Sequence, residues 1–288
     1  MSVETALTAL ETSQPYENLI NRFFGTGFVG YYLSQGIVGE TLYAVIFIAC
    51  LLTIALVAYL LGSINFAILI SAKQYRQDIR QHGSKNAGMT NLMRTYGKKA
   101  AGLTLLGDAL KAVVACLIGY AILGHLGAYL AGLFCVLGHV FPVFYRFKGG
   151  KGVVTAAVSV LMCHPLAFLI LLVIFLIIVL STRYISLGSI MCVLIYPVIL
   201  TSFPSGRPYG IYAVLITVVV VFKHWENIKR LRAGTESKFS FKKSIKAPAE
   251  SSDTEVPATE SNTEQPTEKL PHKKETKNKS RNYGKKKK

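Results

Sequence analysis

Nearly all the side chains in this sequence that could do chemistry lie in three short stretches, each set against an apolar run. The first is Asp78-Ile79-Arg80-Gln81-His82-Gly83-Ser84-Lys85-Asn86-Ala87-Gly88-Met89-Thr90-Asn91-Leu92-Met93-Arg94. Such a loop can turn its backbone N–H groups toward one anion, because Gly admits positive φ and Ser, Asn and Thr add short donors among the cations. It leads into a helix, whose N-terminus is a ready anion site. The plainer alternative is a flexible loop whose cations only mark topology. The second stretch is Phe147-Lys148-Gly149-Gly150-Lys151-Gly152. Here glycines around Lys151 let backbone and ammonium reach one oxyanion, although the spacing is not that of a Walker A loop and an ordinary tight turn would read the same. The third is His224-Trp225-Glu226-Asn227. If the helix before it continues, His224 and Asn227 share a face; a boundary histidine beside a tryptophan is the alternative. Asp108 and Lys111 stand three apart inside an apolar run, the spacing of an intrahelical ion pair that faces the interior, with direct catalysis as the alternative. His139 and His164, at helix ends or breaks, read as structural.

The elements that position these stretches are membrane helices. Of the 288 residues, 51% are hydrophobic and only 16% charged, with a mean hydropathy of +0.41, whereas soluble domains carry about 25% charged residues. Apolar runs predict seven helices: 41–70; 101–123; a third, after a turn at 124–127, ending near Phe144; 153–163; 165–180; 185–200; and 209–222. The run at 153–163 reaches only about 16 Å, half a bilayer, so it is expected inside the bundle, where a short helix is tolerated. Five cysteines fall in apolar stretches without Cys-x-x-Cys spacing and read as packing residues, not as a disulfide framework or a zinc site. Residues 1–40 hold four acids and the single basic residue Arg22, without the pattern of a signal peptide.

Charge then orients the chain. Lys and Arg number twenty-nine on the side of the three polar stretches, tail included, and two on the other, Arg22 and Arg207. The positive-inside rule places the N-terminus outside and the C-terminus in the cytoplasm. The net charge of +17 would suit nucleic acid, anionic lipid or phosphorylated substrates. Beyond Glu236 the chain is low-complexity and ends in four lysines, which predicts a disordered basic tail attracted to anionic lipid or ribosomal RNA. The domains expected are an extracytoplasmic extension (1–40), a membrane domain (41–236) and that tail (237–288).

Together these pieces resemble a known family. Gly62-Ser63-Ile64; Asp78-Ile79-Arg80 with His82-Gly83-Ser84 and Asn86, then Thr90-Asn91 and Arg94; Gly138-His139-Val140-Phe141-Pro142-Val143-Phe144 running into Phe147–Val153; Arg183-Tyr184-Ile185-Ser186-Leu187; and His224 with Glu226-Asn227-Ile228 are similar in order and kind to the bacterial acyl-phosphate:glycerol-3-phosphate acyltransferases, the PlsY family. The match runs from about 44 to 236. Three residues depart from it: Lys85 where the family usually has Gly, Asn65 where it often has Pro, and Trp225 where it usually has Arg.

The resemblance implies an all-α, seven-helix enzyme of the bacterial inner membrane with its site on the cytoplasmic side. It would transfer a fatty acyl group from acyl phosphate to the 1-hydroxyl of sn-glycerol 3-phosphate, giving lysophosphatidic acid and phosphate, with no cofactor, metal or nucleic acid. It places the catalytic residues at Ser84, Arg94, Lys151, His224 and Asn227. Phosphate binding would fall to Arg80, Gly83, Ser84, Asn86, Gly88, Thr90, Asn91, Arg94, Gly149, Gly150 and Lys151. An acyl phosphate is already activated, so charge stabilisation and positioning matter more than a protein nucleophile. Acyltransferases that use acyl-CoA or acyl carrier protein typically carry His-x-x-x-x-Asp. The six histidines here are followed at that spacing by Ala87, Leu130, Phe144, Leu169, Lys229 and Lys277. A membrane transporter or binding protein for a phosphorylated metabolite is the reading of another class; a transporter would need polar residues at several depths, and apart from Asp108 and Lys111 the helices are almost purely apolar.

Overall fold

The structure, a computed structural model, describes residues 26–32, 35 and 39–239, and the described residues are helical without a strand. The expectations for residues 1–25 and for the tail beyond 239 fall outside them. Helix α1 spans Glu40–Ser63 and α2 spans Phe66–Tyr75. The apolar run 41–70, expected as one helix, is therefore two. Ile64 and Asn65 are extended, and Asn65 starts α2 by accepting a hydrogen bond from the Ile68 amide at 3.1 Å. The asparagine that departs from the family pattern is thus an N-cap, a role its short amide suits.

Helix α3 (Met89–Thr95) closes the first polar loop, and α4 (Lys98–Val140) follows. The run of α4 is interrupted at Leu123 and Gly124, where Gly124 takes φ +56°. Lys111 and His139, on opposite sides of that break, touch, so the two halves of the run lie antiparallel. This is the predicted pair of helices, with a turn tighter than 124–127 and an end at Val140, just before Pro142, rather than near Phe144. Helix α1 packs on α4 at glycines: a Cβ on Gly62 would lie 2.2 Å from the Cys135 carbonyl oxygen, and one on Gly138 would lie 2.2 Å from that of Tyr59.

Helices α5 (Val153–Cys163), α6 (Pro165–Thr182), α7 (Ile185–Ser202), α8 (Gly210–Lys223) and α9 (Trp225–Arg232) follow, and residues 26–32, ahead of α1, are helical as well. The eleven-residue α5 buries Thr155, Ala156, Ser159, Val160 and Cys163; Gly132 of α4 leaves room for Ser159. Among the described residues, four helical runs are long and apolar enough to cross a membrane, and α8 with α9, bent by 59° at His224, makes a fifth if that pair is one span. Their outer faces are apolar: Leu52, Leu180, Val198 and Phe222 are each about two-thirds exposed or more. Such faces suit hydrocarbon, not water.

Candidate active site

The first loop is held from within. Asn91, 1% exposed, donates its amide hydrogens to the carbonyls of Ile79, His82 and Asn86 and accepts from the Ser84 amide at 2.9 Å. It shapes the loop as well as bordering the cavity. Arg80 is engaged at every guanidinium nitrogen: Nε and Nη2 bind Asp78, and Nη1 donates to the carbonyls of Tyr145 at 3.0 Å and Lys148 at 3.2 Å. Expected among the phosphate ligands, Arg80 instead bolts the first loop to the second and stands away from the cavity. Its partner Asp78 is held below the usual carboxylate range, chiefly by that hydrogen bond. Gly83 and Lys85 turn the loop with φ of +56° and +57°. Lys85 thus takes the left-handed conformation for which glycine is suited.

The second loop is used differently from the expectation. The Gly149 and Gly150 amides donate to the carbonyls of Val140 and His139 at the end of α4, so they are not turned toward a ligand. These carbonyls would otherwise lack helical partners. A Cβ on Gly150 would lie 2.2 Å from His139 Nε2 and 2.5 Å from the Ala87 carbonyl oxygen. The glycines let the loop pass between α4 and the first loop, and that course directs Lys151 into the cavity.

The third stretch arrives at the bend between α8 and α9. His224 is 2% and Asn227 4% exposed. Nδ1 of His224 lies 2.8 Å from the Val220 carbonyl oxygen, which can only accept, so Nδ1 carries the proton and Nε2 is the acceptor. Burial and then the Lys151 charge lower the imidazole pKa to about 4. Lys151 donates to Asn227 Oδ1, and Asn227 donates to Glu236 Oε1 at 2.7 Å. Glu236 also accepts from Ser186 Oγ and Arg230 Nε, each at 2.7 Å. Burial opposes ionisation of Glu236, but those three donors hold its pKa below the ordinary value. Burial lowers the Lys151 ammonium to about 8; Glu236 supports its charge while Arg230, Arg94 and Lys223 oppose it.

Sequence reasoning used Glu236 as a boundary and missed it as a member of the site. Its signal was slight, an acid six residues past Arg230 in a basic stretch. His139, read as structural, and Asp108 also border the cavity; Lys111 Nζ stands 2.8 Å from Asp108 and 2.9 Å from His139 Nδ1, as the intrahelical pair expected plus one partner.

A cavity of about 420 Å³ joins these parts. Ser84, Asn86, Thr90, Arg94, Lys151 and His224 border its polar mouth, with Gly88 and Asn91 beside them. Asn227 reaches it through Lys151, while Gly83, Gly149 and Gly150 shape the loops behind it. The Arg94 side chain is exposed and, among the described residues, makes no hydrogen bond or ion pair. The arrangement can bind an anion with two cations and offer a neutral imidazole acceptor beside it, next to apolar walls. No group of three or more His, Cys, Asp or Glu suited to a metal ion occurs among the described residues.

These features define a helical, multi-pass membrane protein with a cavity that Arg94 and Lys151 border among its loops. The glycerol-3-phosphate acyltransferase family model matches residues 52–234, and the chain belongs to that family. A glycerol-3-phosphate acyltransferase of Finegoldia magna is 44% identical over 191 residues, 65% of this chain and 96% of that protein. One from Trichlorobacter lovleyi is 50% identical over 184 residues, covering 63% and 94%. The crystal structure of PlsY (YgiH), an integral membrane glycerol 3-phosphate acyltransferase, in its glycerol 3-phosphate form, superposes with a TM-score of 0.62 at 38% identity, over 66% of this chain and 96% of that one. Its lysophosphatidic acid form gives a TM-score of 0.60 at 36% identity, covering 66% and 95%.

Proposed function

We propose that the chain transfers a fatty acyl group from acyl phosphate to the 1-hydroxyl of sn-glycerol 3-phosphate, the first acylation of phospholipid biosynthesis. One observation carries the reading: Arg94, Ser84, Lys151 and His224, from three separate stretches of the sequence, border one cavity whose far part is apolar. Arg94 and Lys151 hold the two phosphates, with Ser84, Asn86 and Thr90 as neutral donors. Asn227 fixes Lys151, and Glu236 fixes Asn227. Arg80, Asn91, Gly83, Gly149 and Gly150 serve by shaping the loops.

His224 Nε2 accepts the glycerol hydroxyl hydrogen and aims its oxygen at the acyl carbonyl. The ester C–O bond forms as the bond from acyl carbon to phosphate oxygen breaks, and the cations stabilise the charge gathering on the departing phosphate. The hydroxyl proton ends on phosphate. A phosphate monoester with a second pKa of about 6 is a stronger base than an imidazole at about 4, so His224 orients and a phosphate oxygen takes the proton.

The relatives' membrane nature and the charge asymmetry support seven crossings in the bacterial cytoplasmic membrane, N-terminus outside and site inside, with 1–40 and the basic tail as appendages to the membrane domain. The deciding experiment is purified protein in detergent given acyl phosphate and glycerol 3-phosphate, with phosphate and lysophosphatidic acid measured. Turnover without another protein is expected; turnover only with acyl-CoA or acyl carrier protein would overturn the donor assignment.

A further inference from the structure

Past its polar mouth the cavity continues as an apolar arm between α5, α6 and α7. Ser186, Ser189, Val193 and Tyr196 of α7 all line it, a spacing that keeps them on one helix face. The arm therefore follows α7 for about 15 Å from Ser186 to Tyr196. Its upper walls include the small side chains Ala156, Ala157 and Ser189, which leave room for a chain. At the far end the walls change. Val160 of α5, Phe168 of α6, Tyr196 of α7 and Ile216 of α8, one side chain from each of four helices, converge there and belong to a single packed cluster. Val160, Tyr196 and Ile216 are 5%, 2% and 3% exposed. Behind them Tyr129, Leu200 and Ala213 continue the same cluster but do not line the cavity. Val160, Phe168, Tyr196 and Ile216 thus stand as a floor across that end of the arm.

Resting on the acyltransferase reading, we propose that Val160, Phe168, Tyr196 and Ile216 form a ruler that sets the acyl-chain length the protein accepts, with Tyr196 as its largest element. A chain shorter than the arm leaves apolar surface unburied, and each missing methylene lowers kcat/KM by about fourfold. A longer chain must displace side chains from a close-packed cluster, which has no slack to give. One chain length is therefore best.

The test is a competition among a graded series of saturated acyl phosphates at equal concentration, with glycerol 3-phosphate and the full chain in detergent, and the lysophosphatidic acids resolved by mass. The unaltered protein should show a single optimum. Tyr196→Ala and, separately, Ile216→Ala should move it to longer chains, raising the ratio of the next longer homologues to the original optimum by about tenfold, while Ser189→Leu, higher in the arm, should move it to shorter ones. KM for glycerol 3-phosphate should stay unchanged. Because the variants shift the profile in opposite directions and any one suffices, loss of one to misfolding leaves the others decisive. A flat profile, as from a chain that leaves sideways between helices into lipid, or an optimum unmoved in active variants, overturns the ruler. Failure of the unaltered protein to make lysophosphatidic acid from any acyl phosphate overturns the reaction assignment instead.

Discussion

Lys111 places its ammonium nitrogen 2.9 Å from Nδ1 of His139, twenty-eight residues further along the chain. The same nitrogen donates to the carbonyls of Gly62 at 3.0 Å and Ile64 at 2.8 Å, where α1 ends, and pairs with Asp108. One cation thus ties the broken end of the first helix to the residue whose own carbonyl holds Gly150. The break serves both loops: Asn65 Nδ2 reaches the Ala87 carbonyl of the first, and Ser63 Oγ accepts from the Val143 amide just before the second. A charge this deep in an apolar bundle is tolerated because it is fully partnered.

Lys111→Met should therefore leave Asp108 buried without its cation, at a cost of about 3–5 kcal/mol. The apparent Tm in detergent should fall sharply, and the double variant Asp108→Asn/Lys111→Met should recover part of the loss. A double variant no better than the single one would show that the two groups do not act as a pair.

Lys85 yields a smaller effect of opposite sign. A side chain in the left-handed region costs about 1 kcal/mol, and Lys85 has φ +57°. Lys85→Gly should hold or raise stability, by up to about 1 kcal/mol, read as an unchanged or higher apparent Tm with activity preserved. A clear loss of activity would mean that its ammonium, not its backbone, matters to the loop.

The features legible in the sequence were those whose causes are local. The polar loops, the short α5 ended by His164-Pro165, and the Asp108–Lys111 pair follow from composition and from three-residue spacing. The break of α1 was harder, because the apolar text runs on to Ile70 and the partner of the freed carbonyls, Lys111, is nearly fifty positions away. Glu236 was illegible for the same reason: its donors Ser186 and Asn227 lie on different helices. Gly149 and Gly150 were seen as loop-makers, but the use of their amides depends on where the end of α4 stands.

Lys151 should leave its mark on the pH profile. Burial lowers it to about 8, so the charged form prevails below that pH and is lost as pH rises through it. The free enzyme's groups govern kcat/KM, which for glycerol 3-phosphate should fall above about pH 8. Lys151→Ala should lower activity by about 10²-fold or more in protein that still folds, and Lys151→Arg, whose charge persists to high pH, should lose the alkaline limb even where its rate is poor. His224, at about 4, should add no limb between pH 5 and 8. An alkaline limb unchanged in Lys151→Arg would remove Lys151 from the phosphate site and leave Arg94 to hold it.

Topology can be read by labelling. Single cysteines introduced at the exposed positions Lys148 and Arg207 should report opposite sides, given the charge asymmetry. In intact cells a membrane-impermeant maleimide should modify residue 207 and reach residue 148 only after permeabilisation. The reverse pattern would invert the orientation.

The end of the working chain is the last prediction. Past α9 the backbone returns to the bundle: Glu236 joins Ser186, Asn227 and Arg230, and the Phe239 amide donates to the Arg183 carbonyl at 2.7 Å. Removing everything after residue 239 leaves each of these contacts in place. Removing everything after residue 235 deletes the acceptor that orients Asn227 and the carboxylate that supports the Lys151 charge, with three charge-assisted hydrogen bonds lost together. The longer truncate should keep specific activity within about tenfold of the full chain, whereas the shorter should lose about 10²-fold or more. Glu236→Gln in the full chain separates geometry from charge, because its amide oxygen can still accept from Asn227 while the negative charge beside Arg230 and Lys151 is gone. An intermediate rate with the alkaline limb of kcat/KM moved to lower pH is expected, since Lys151 would lose a carboxylate that favours its charge. Full activity of the 235-residue form would show that the returning segment lies against the site without serving it.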